Sequence, residues 1–421
     1  MKSLYYILFL IIFSSRYFFI ICQNVPSPRR EQTSTLVGTK LYFFGGNISP
    51  TLPSNEVWYL DLSSSFNIST PPWHSSTVMP VGYNFGTSCL SPIDNSTVFL
   101  VGGRTWIANT FDYSNISSVY QFNSKTSQWT IPAINNFNSS FLSRNMIQAV
   151  IDKNGKMFIF GGTNFISLTV TPNSTFYNDM NTLDISTMTW STQIQSQSVL
   201  IYYAYTATLL SNGLIVYIGG RRGSSYANMA QIQTFDTKSY TWSTKFASGT
   251  TIASRGSHSA VLTQDGNIII YGGSTDDSSG KLSYVLSDIA VLNTNSWVWT
   301  VPSISGINAP PLTEHSAALY KNYMILGFGA TSTSALYTNN IYMLDIQNYT
   351  WVTTFNIPTT TNQEQSNSNN SANLYIGIGI GVGVFILVVV LFVVGLFIYK
   401  NRHKQEIIAT PGTSKDDRIL K

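Results

Sequence analysis

An apolar run closed by a glycine pair recurs along this chain and limits what it can fold into. It appears as Leu41-Tyr-Phe-Phe-Gly45-Gly46, Val98-Phe-Leu-Val-Gly102-Gly103 and Met157-Phe-Ile-Phe-Gly161-Gly162. It returns as Ile215-Val-Tyr-Ile-Gly219-Gly220 and Ile268-Ile-Ile-Tyr-Gly272-Gly273. A sixth copy, Met324-Ile-Leu-Gly327-Phe328, keeps the first glycine and loses the second. Each copy is followed by a tryptophan: Trp73, Trp129, Trp190, Trp242, Trp299 and Trp351. The later tryptophans close a turn opened by Asp or Asn, as in Asp184 to Trp190, Asp236 to Trp242 and Asp345 to Trp351. A period of roughly 50 to 60 residues marks units that cannot bury an apolar face alone and must stack on their neighbours.

Glycine pairs in phase with tryptophans over about residues 30–355 resemble the kelch-repeat propellers. The resemblance implies four-stranded blades in which the glycine pair ends the second strand. The tryptophan opens the fourth strand and packs between blades. The expected fold is all-β: a six-bladed kelch-type propeller with blades at about 30–78, 79–134, 135–195, 196–246, 247–303 and 304–355. The terminal blades are atypical, as the ends of repeat arrays often are. The first has a stretched turn between Asp61 and Trp73, and no strand is evident that would interlock the two ends.

Composition agrees with a sheet-rich body: aromatics make up 14% of the residues and charged groups 10%. Aromatic side chains suit a pleated, half-buried surface. Cys22 and Cys89 are too few for a disulfide framework, so the core must carry the fold. Between Gln23 and Asn373 there are 15 Lys and Arg against 16 Asp and Glu. A near-neutral body lacks the concentrated basic face that nucleic-acid binding needs.

The ends predict a single-pass membrane topology. Lys2 precedes the apolar stretch Leu4 to Phe13, the pattern of a secretory signal peptide over residues 1–22, with cleavage near Cys22 and Gln23. An uncleaved anchor is the competing reading. Residues 356–373 are a polar stalk of Thr, Asn, Gln and Ser. Ile376 to Ile398 is free of charge and long enough for one C-terminal transmembrane helix through the lipid bilayer. Lys400, Arg402, His403 and Lys404 follow, which places the tail, residues 400–421, in the cytoplasm and the N-terminus outside. Gly377 and Gly381 form a small-xxx-small pair that would let two such helices approach as a homodimer. The plasma membrane is the expected location. Sequons on the outer side stand at Asn47, Asn67, Asn95, Asn115, Asn138, Asn173, Asn348 and Asn369.

Loop lengths separate the two propeller faces. Connections after the second and fourth strands are long, such as Arg104 to Ser118 and Phe246 to Ser254. Those after the first strand are tight, as at Ser211-Asn-Gly213. Recognition usually sits on long loops carried by a rigid scaffold. The same face collects arginines. Arg30, Arg144 and Arg255 are expected at equivalent places before the innermost strand, while Arg104, Arg221 and Arg222 follow glycine pairs. Together they form a candidate cationic ring for a carboxylate or acidic sugar. The competing reading has them holding neighbouring loops.

The expected role is binding of an extracellular or lumenal protein or glycan, without a cofactor and without catalysis. Two alternatives stand beside it. One is a structural component of the cell surface. The other is a copper-radical oxidase, since galactose oxidase and its relatives use a kelch-type propeller. That site needs two histidines and two tyrosines on the metal, one tyrosine linked to a cysteine. Here His258 and His315 occupy the same place in successive repeats, as structural repeat residues do, and Cys89 reads as a buried thiol.

Overall fold

The computed structural model describes residues 24–357, apart from 50–51, 109, 111, 115, 143, 166–174, 194–201, 224, 277–281 and 332–336. The expected leader, the stalk from residue 358, the membrane segment with Gly377 and Gly381, and the tail lie outside the described residues, as do Asn115, Asn173 and Asn369. Among the described residues no helix is long and apolar enough to cross a membrane.

The chain is an all-β propeller of six blades, each an antiparallel sheet of four strands, two of which gain a short fifth strand. Blade 1 runs Thr33–Val37, Lys40–Phe44, Val57–Asp61 and Trp73–Ser75. Blade 2 runs Thr87–Leu90, Thr97–Val101, Val119–Asn123 and Gln128–Thr130. Blade 3 runs Ala149–Ile151, Lys156–Phe160, Met180–Asp184 and Thr189–Gln193, and blade 4 Thr206–Leu209, Leu214–Ile218, Gln231–Asp236 and Thr241–Phe246. Blade 5 runs Ser259–Leu262, Asn267–Tyr271, Ile289–Asn293 and Val298–Thr300, and blade 6 Ser316–Tyr320, Tyr323–Gly327, Ile341–Asp345 and Thr350–Val352. Each innermost strand lies beside the next, and the last lies beside the first.

The recurring apolar run is explained by where the second strand sits. Its alternate side chains enter two different cores: Phe99 and Val101 pack with Met157 and Ile159 of blade 3, while Val98 and Leu100 pack with Tyr42 and Phe44 of blade 1. A strand buried on both faces reads as a continuous apolar run, not an alternation. The core is thus divided into clusters between neighbouring blades, and each tryptophan fills the seam to the preceding blade. Trp129 packs against blade 1, Trp190 against blade 2 and Trp242 against blade 3. Trp299, Trp351 and Trp73 do the same against blades 4, 5 and 6.

Two expectations are corrected here. The ring does have an interlocking strand: Thr354–Phe355 pairs antiparallel with Phe66–Asn67, which lies within the stretched turn of blade 1. Ile68 N–H donates to the Thr353 carbonyl at 2.9 Å, and Phe355 is buried against Phe66 and Tyr323. The turn is long because it carries the closing strand.

The second correction concerns blade 6. Its glycine motif is Phe328-Gly329, because Gly327 still belongs to the strand, opposite Ser316. Phe328 has φ 61° and Gly329 φ 100°, matching the 60–64° and 82–93° of the two positions in the other blades. Gly327 is required for a different reason: a Cβ there would lie 2.7 Å from the Phe43 ring of blade 1. Phe328 tolerates the left-handed region because its ring is buried between Phe43 and Trp73, at 5.0 and 5.5 Å.

Candidate functional site: the channel mouth on the long-loop face

The residue that leads into each innermost strand has positive φ: Glu31, Phe85, Met146, Ala204, Ser257 and Glu314, between 54° and 65°. This turn aims every amide at the preceding blade. Phe85 N–H donates to the Glu31 carbonyl at 3.0 Å, Met146 to Phe85 at 2.9 Å and Ala204 to Met146 at 2.9 Å. Ser257 donates to Ala204 at 2.8 Å, Glu314 to Ser257 at 3.0 Å, and Glu31 back to Glu314 at 3.0 Å. The result is a closed circle of backbone hydrogen bonds around the mouth of the central channel.

A second circle runs the other way and uses the glycine pair. The amide of the second glycine donates to the following blade: Gly46 to Tyr83, Gly103 to Arg144, Gly162 to Tyr202, Gly220 to Arg255, Gly273 to Leu312 and Gly329 to Arg29, at 2.7–2.9 Å. A Cβ on the first glycine would strike that accepting carbonyl, at 2.2 Å for Gly45 and Tyr83. The pair therefore serves close approach as well as a left-handed turn.

These circles bring Arg30, Glu31, Arg104 and Glu314 together from three blades. Arg30 bridges the two glutamates: Nε lies 3.1 Å from Glu31 Oε1, and Nη1 donates to Glu314 Oε2 at 2.8 Å. Its guanidinium also lies over the Tyr337 ring at 5.1 Å. Glu31 accepts from Asn47 Nδ2 at 2.9 Å and from Asn84 Nδ2 at 2.6 Å, with Arg104 Nη2 3.6 Å away. Arg104 Nε donates to Asn84 Oδ1 at 3.2 Å, and its guanidinium sits 4.5 Å over Phe85. The Glu31 side chain has no exposure at all. Burial first, and the charge of Glu314 second, push its carboxyl above the ordinary range, while Arg30, Arg104 and Asn84 pull it back.

Glu31 and Glu314 face a cavity of about 130 Å³, whose rim includes Phe85, Met146, Ala204 and Ser257. Below it a chamber of about 170 Å³ is lined by Thr33, Ser88, Gln148, Thr206, Ser259 and Ser316.

The other candidate arginines are placed differently. Arg144 and Arg255 lie inside their blades. Arg255 pairs with both oxygens of Asp288 at 2.7 Å and donates to the Gly272 carbonyl at 3.0 Å. Arg144 pairs with Asp179, donates to the Gly161 carbonyl at 3.3 Å and sits 3.6 Å over Tyr177. The equivalent residue in blade 1 is Arg29, not Arg30: it pairs with Glu56 and donates to the Gly45 carbonyl at 3.1 Å. The equivalence expected of Arg30 is thus off by one residue, because each clasp stands two residues before the left-handed turn. Arg221 is paired with Asp276 and Tyr226 in the loops of blades 5 and 4, and Arg222 is exposed.

Glu31, Glu314, Asn84 and Tyr337 were not singled out from sequence, and Asn47 was named only as a sequon, not as a partner of Glu31. A signal was present for two of them: Glu31-Gln32-Thr33 and Glu314-His315-Ser316 are the same three-residue place in the first and last repeats.

His258 and His315 join blade to blade. His315 Nε2 bonds Ser259 Oγ at 2.8 Å and His258 Nε2 bonds Thr206 Oγ1 at 3.2 Å, while Gln32 does likewise with Ser316 at 3.3 Å. Burial pushes His315 down to about 3, and burial followed by Arg255 holds His258 well below the ordinary value. Cys89 Sγ donates to the Ala149 carbonyl at 3.5 Å, and burial pushes its thiol up to about 12. Among the described residues no group of three or more His, Cys, Asp or Glu is placed to hold a metal ion.

Comparison with known proteins agrees with this architecture. The KLHDC2/KLHL20/DRC7 Kelch-repeats domain matches residues 19–215 and 204–385. Kelch domain-containing protein 3 of Rattus norvegicus is 28% identical over 326 residues, covering 73% of this chain and 79% of the relative. Acyl-CoA-binding domain-containing protein 4 of Arabidopsis thaliana is 26% identical over 271 residues, 61% of this chain but only 37% of that relative's length. The structure of YjhT superimposes with a TM-score of 0.59 at 14% identity, covering 79% of this chain and 99% of YjhT, a likeness of fold. With both halves of the repeat array matched, this chain belongs to the KLHDC2/KLHL20/DRC7 Kelch-repeats domain family.

Proposed function

We propose that this protein is a membrane-anchored kelch propeller that offers its long-loop face to an extracellular or lumenal protein or glycan, without catalysis. In this reading the signal peptide delivers the propeller across the membrane. The stalk of residues 356–373 would hold it away from the bilayer, and Ile376 to Ile398 would cross it.

The observation that carries the binding face is the distribution of exposed apolar side chains. Val78, Ile107, Tyr113, Ile116, Ile131, Tyr284 and Val301 are exposed after a second or fourth strand and Phe246 at the end of one, while Val25 and Ile307 are exposed in a groove elsewhere. Ile93 is the one exposed large hydrophobe in a turn of the opposite face among the described residues. Apolar groups gathered on one face, around a charged mouth, suit recognition. Arg30 and Arg222 are the candidate cations with which that face would meet an acidic group.

The test is display of the full chain on cells, screened against a glycan array and a library of secreted and cell-surface ectodomains. A ligand lost in Ile107→Asp and Phe246→Asp but retained in Ile93→Asp supports the reading. Equal loss from both faces, or no ligand, counts against it. Epitope tags at the two ends, probed before and after permeabilisation, test the topology.

A further inference from the structure

The outer wall of the propeller carries a groove of about 620 Å³ at the seam where blade 6 meets blade 1. Its volume falls in the roughly 300–1,000 Å³ range of sites that take a drug-sized ligand. Apolar and aromatic groups form its walls, among them Ile68, Trp73, Ile307 and Tyr342, and Asn308 and Asn340 stand between them. Carboxamides are donor and acceptor at once, which matches sugar hydroxyls, and aromatic faces suit the C–H side of a sugar ring. No Asp, Glu, Lys or Arg lines the groove, so it offers nothing to a charged partner.

One residue of the groove stands in a sequon for sugar attachment. Asn67, of the sequon Asn67-Ile68-Ser69, is exposed on the rim within the closing strand Phe66–Asn67. Its Oδ1 accepts from Ser69 N–H at 2.9 Å and from Ser69 Oγ–H at 2.8 Å, and its Nδ2 makes no hydrogen bond to the described residues. Asn47 is the opposite case. It is buried, and its Nδ2 donates to Glu31 at 2.9 Å inside the mouth network, so a sugar on that nitrogen would dismantle the site. Asn138 Nδ2 is engaged by Thr192 Oγ1 at 3.1 Å.

We infer that Asn67 carries an N-linked glycan whose core sugars lie in this groove and fasten the seam of the ring. Modification of Asn67 presupposes the secretory reading above. In the transfer, Asn67 Nδ2 bonds to the anomeric carbon of a lipid-pyrophosphate-linked oligosaccharide. The anomeric C–O bond breaks, the lipid pyrophosphate leaves, and one amide proton is lost. The sugars then span from the closing strand of blade 1 to Tyr342 and Ile307 of blade 6 and the link before it. They cover Ile307, which is otherwise 79% exposed. The location is apt because the chain ends of the propeller meet here through a pair of two-residue strands.

The full chain, produced in a secretory eukaryotic host, is treated with an N-glycan-releasing amidase, and release is followed site by site by mass spectrometry. Glycan at Asn67 is expected to leave at least tenfold more slowly than glycan at Asn95 or Asn348 in the native protein, and equally fast after unfolding. Ile307→Ser, a change at an exposed wall position, is expected to remove that protection. Asn67→Gln is expected to lower Tm by roughly 2–4 °C. Glycans at Asn95 and Asn348 with Asn67 bare, or released at the same rate as the others, overturn this inference alone. Bare asparagine at every sequon overturns it together with the secretory reading.

Discussion

The amide of Glu31 donates to the carbonyl of Glu314 at 3.0 Å, joining the first blade to the last through two residues 283 positions apart. The same pair is joined a second time through side chains, with Arg30 held between both carboxylates. Ring closure and the charged mouth are therefore one structure. A ligand that drew Arg30 away would act on the seam, and a variant that loosened the seam would disturb the mouth. Long-range coupling of this kind suits a scaffold whose blades otherwise touch only their neighbours.

The glycine pairs are predicted to be intolerant because of the second hydrogen-bonded circle. In Gly103→Ala the new Cβ would meet the Asn84 carbonyl at 2.8 Å, at φ 83°. A loss of about 3 kcal/mol or more in chemical denaturation is expected, from strain plus the displaced inter-blade bond. Gly38→Ala is the control: it also has positive φ, 60°, but nothing lies within 4 Å of its Cβ. It should cost only about 1 kcal/mol.

Arg255→Ala is predicted to act on stability and not on recognition. The side chain is fully buried, although Asp288 is 46% exposed. Loss of the clasp leaves the Gly272 carbonyl and one carboxylate short of a donor, at a cost of about 3 kcal/mol. Thermal unfolding of Arg255→Ala and Arg30→Ala separates the two roles. Arg255→Ala should lower Tm and leave ligand affinity intact at temperatures where it is folded. The reverse pattern would restore Arg255 to the binding face.

Buried neutral histidine makes the fold sensitive to acid. His315 is held down to about 3 by burial, against 6.5 when unfolded. The unfolded chain therefore binds more protons between these values, and stability is lost as pH falls from about 6.5 toward 3. His315→Gln places at this position the residue that blade 1 uses, Gln32, and keeps a hydrogen-bonding partner for Ser259. Relative to wild type it should remove a slope approaching one proton, about 1.4 kcal/mol per pH unit. Denaturation midpoints at pH 7, 6 and 5 measure it, and parallel profiles for the two proteins would show that His315 is solvated or charged in the fold.

What the chain determined by itself are features that each blade needs locally. The second strands are buried on both faces, so they must read as unbroken apolar runs, and the runs are visible without coordinates. The tryptophans are visible for the same reason, since each seam needs one large ring from the fourth strand. Tertiary structure alone decided how these parts meet. Gly329, not Gly327, answers to the second glycine because Phe43 of blade 1 claims the space at Gly327. Arg29 and Arg30 are adjacent in sequence, yet one clasps its own blade and the other spans the seam, a difference set by the left-handed turn at Glu31. The closing strand was hidden inside a turn because Phe66–Asn67 has no partner until Phe355 arrives from the other end of the propeller. Local patterns record burial and turn geometry within a repeat, whereas the mouth network draws on residues 30, 31, 47, 84, 104 and 314, and only closure of the ring makes them neighbours.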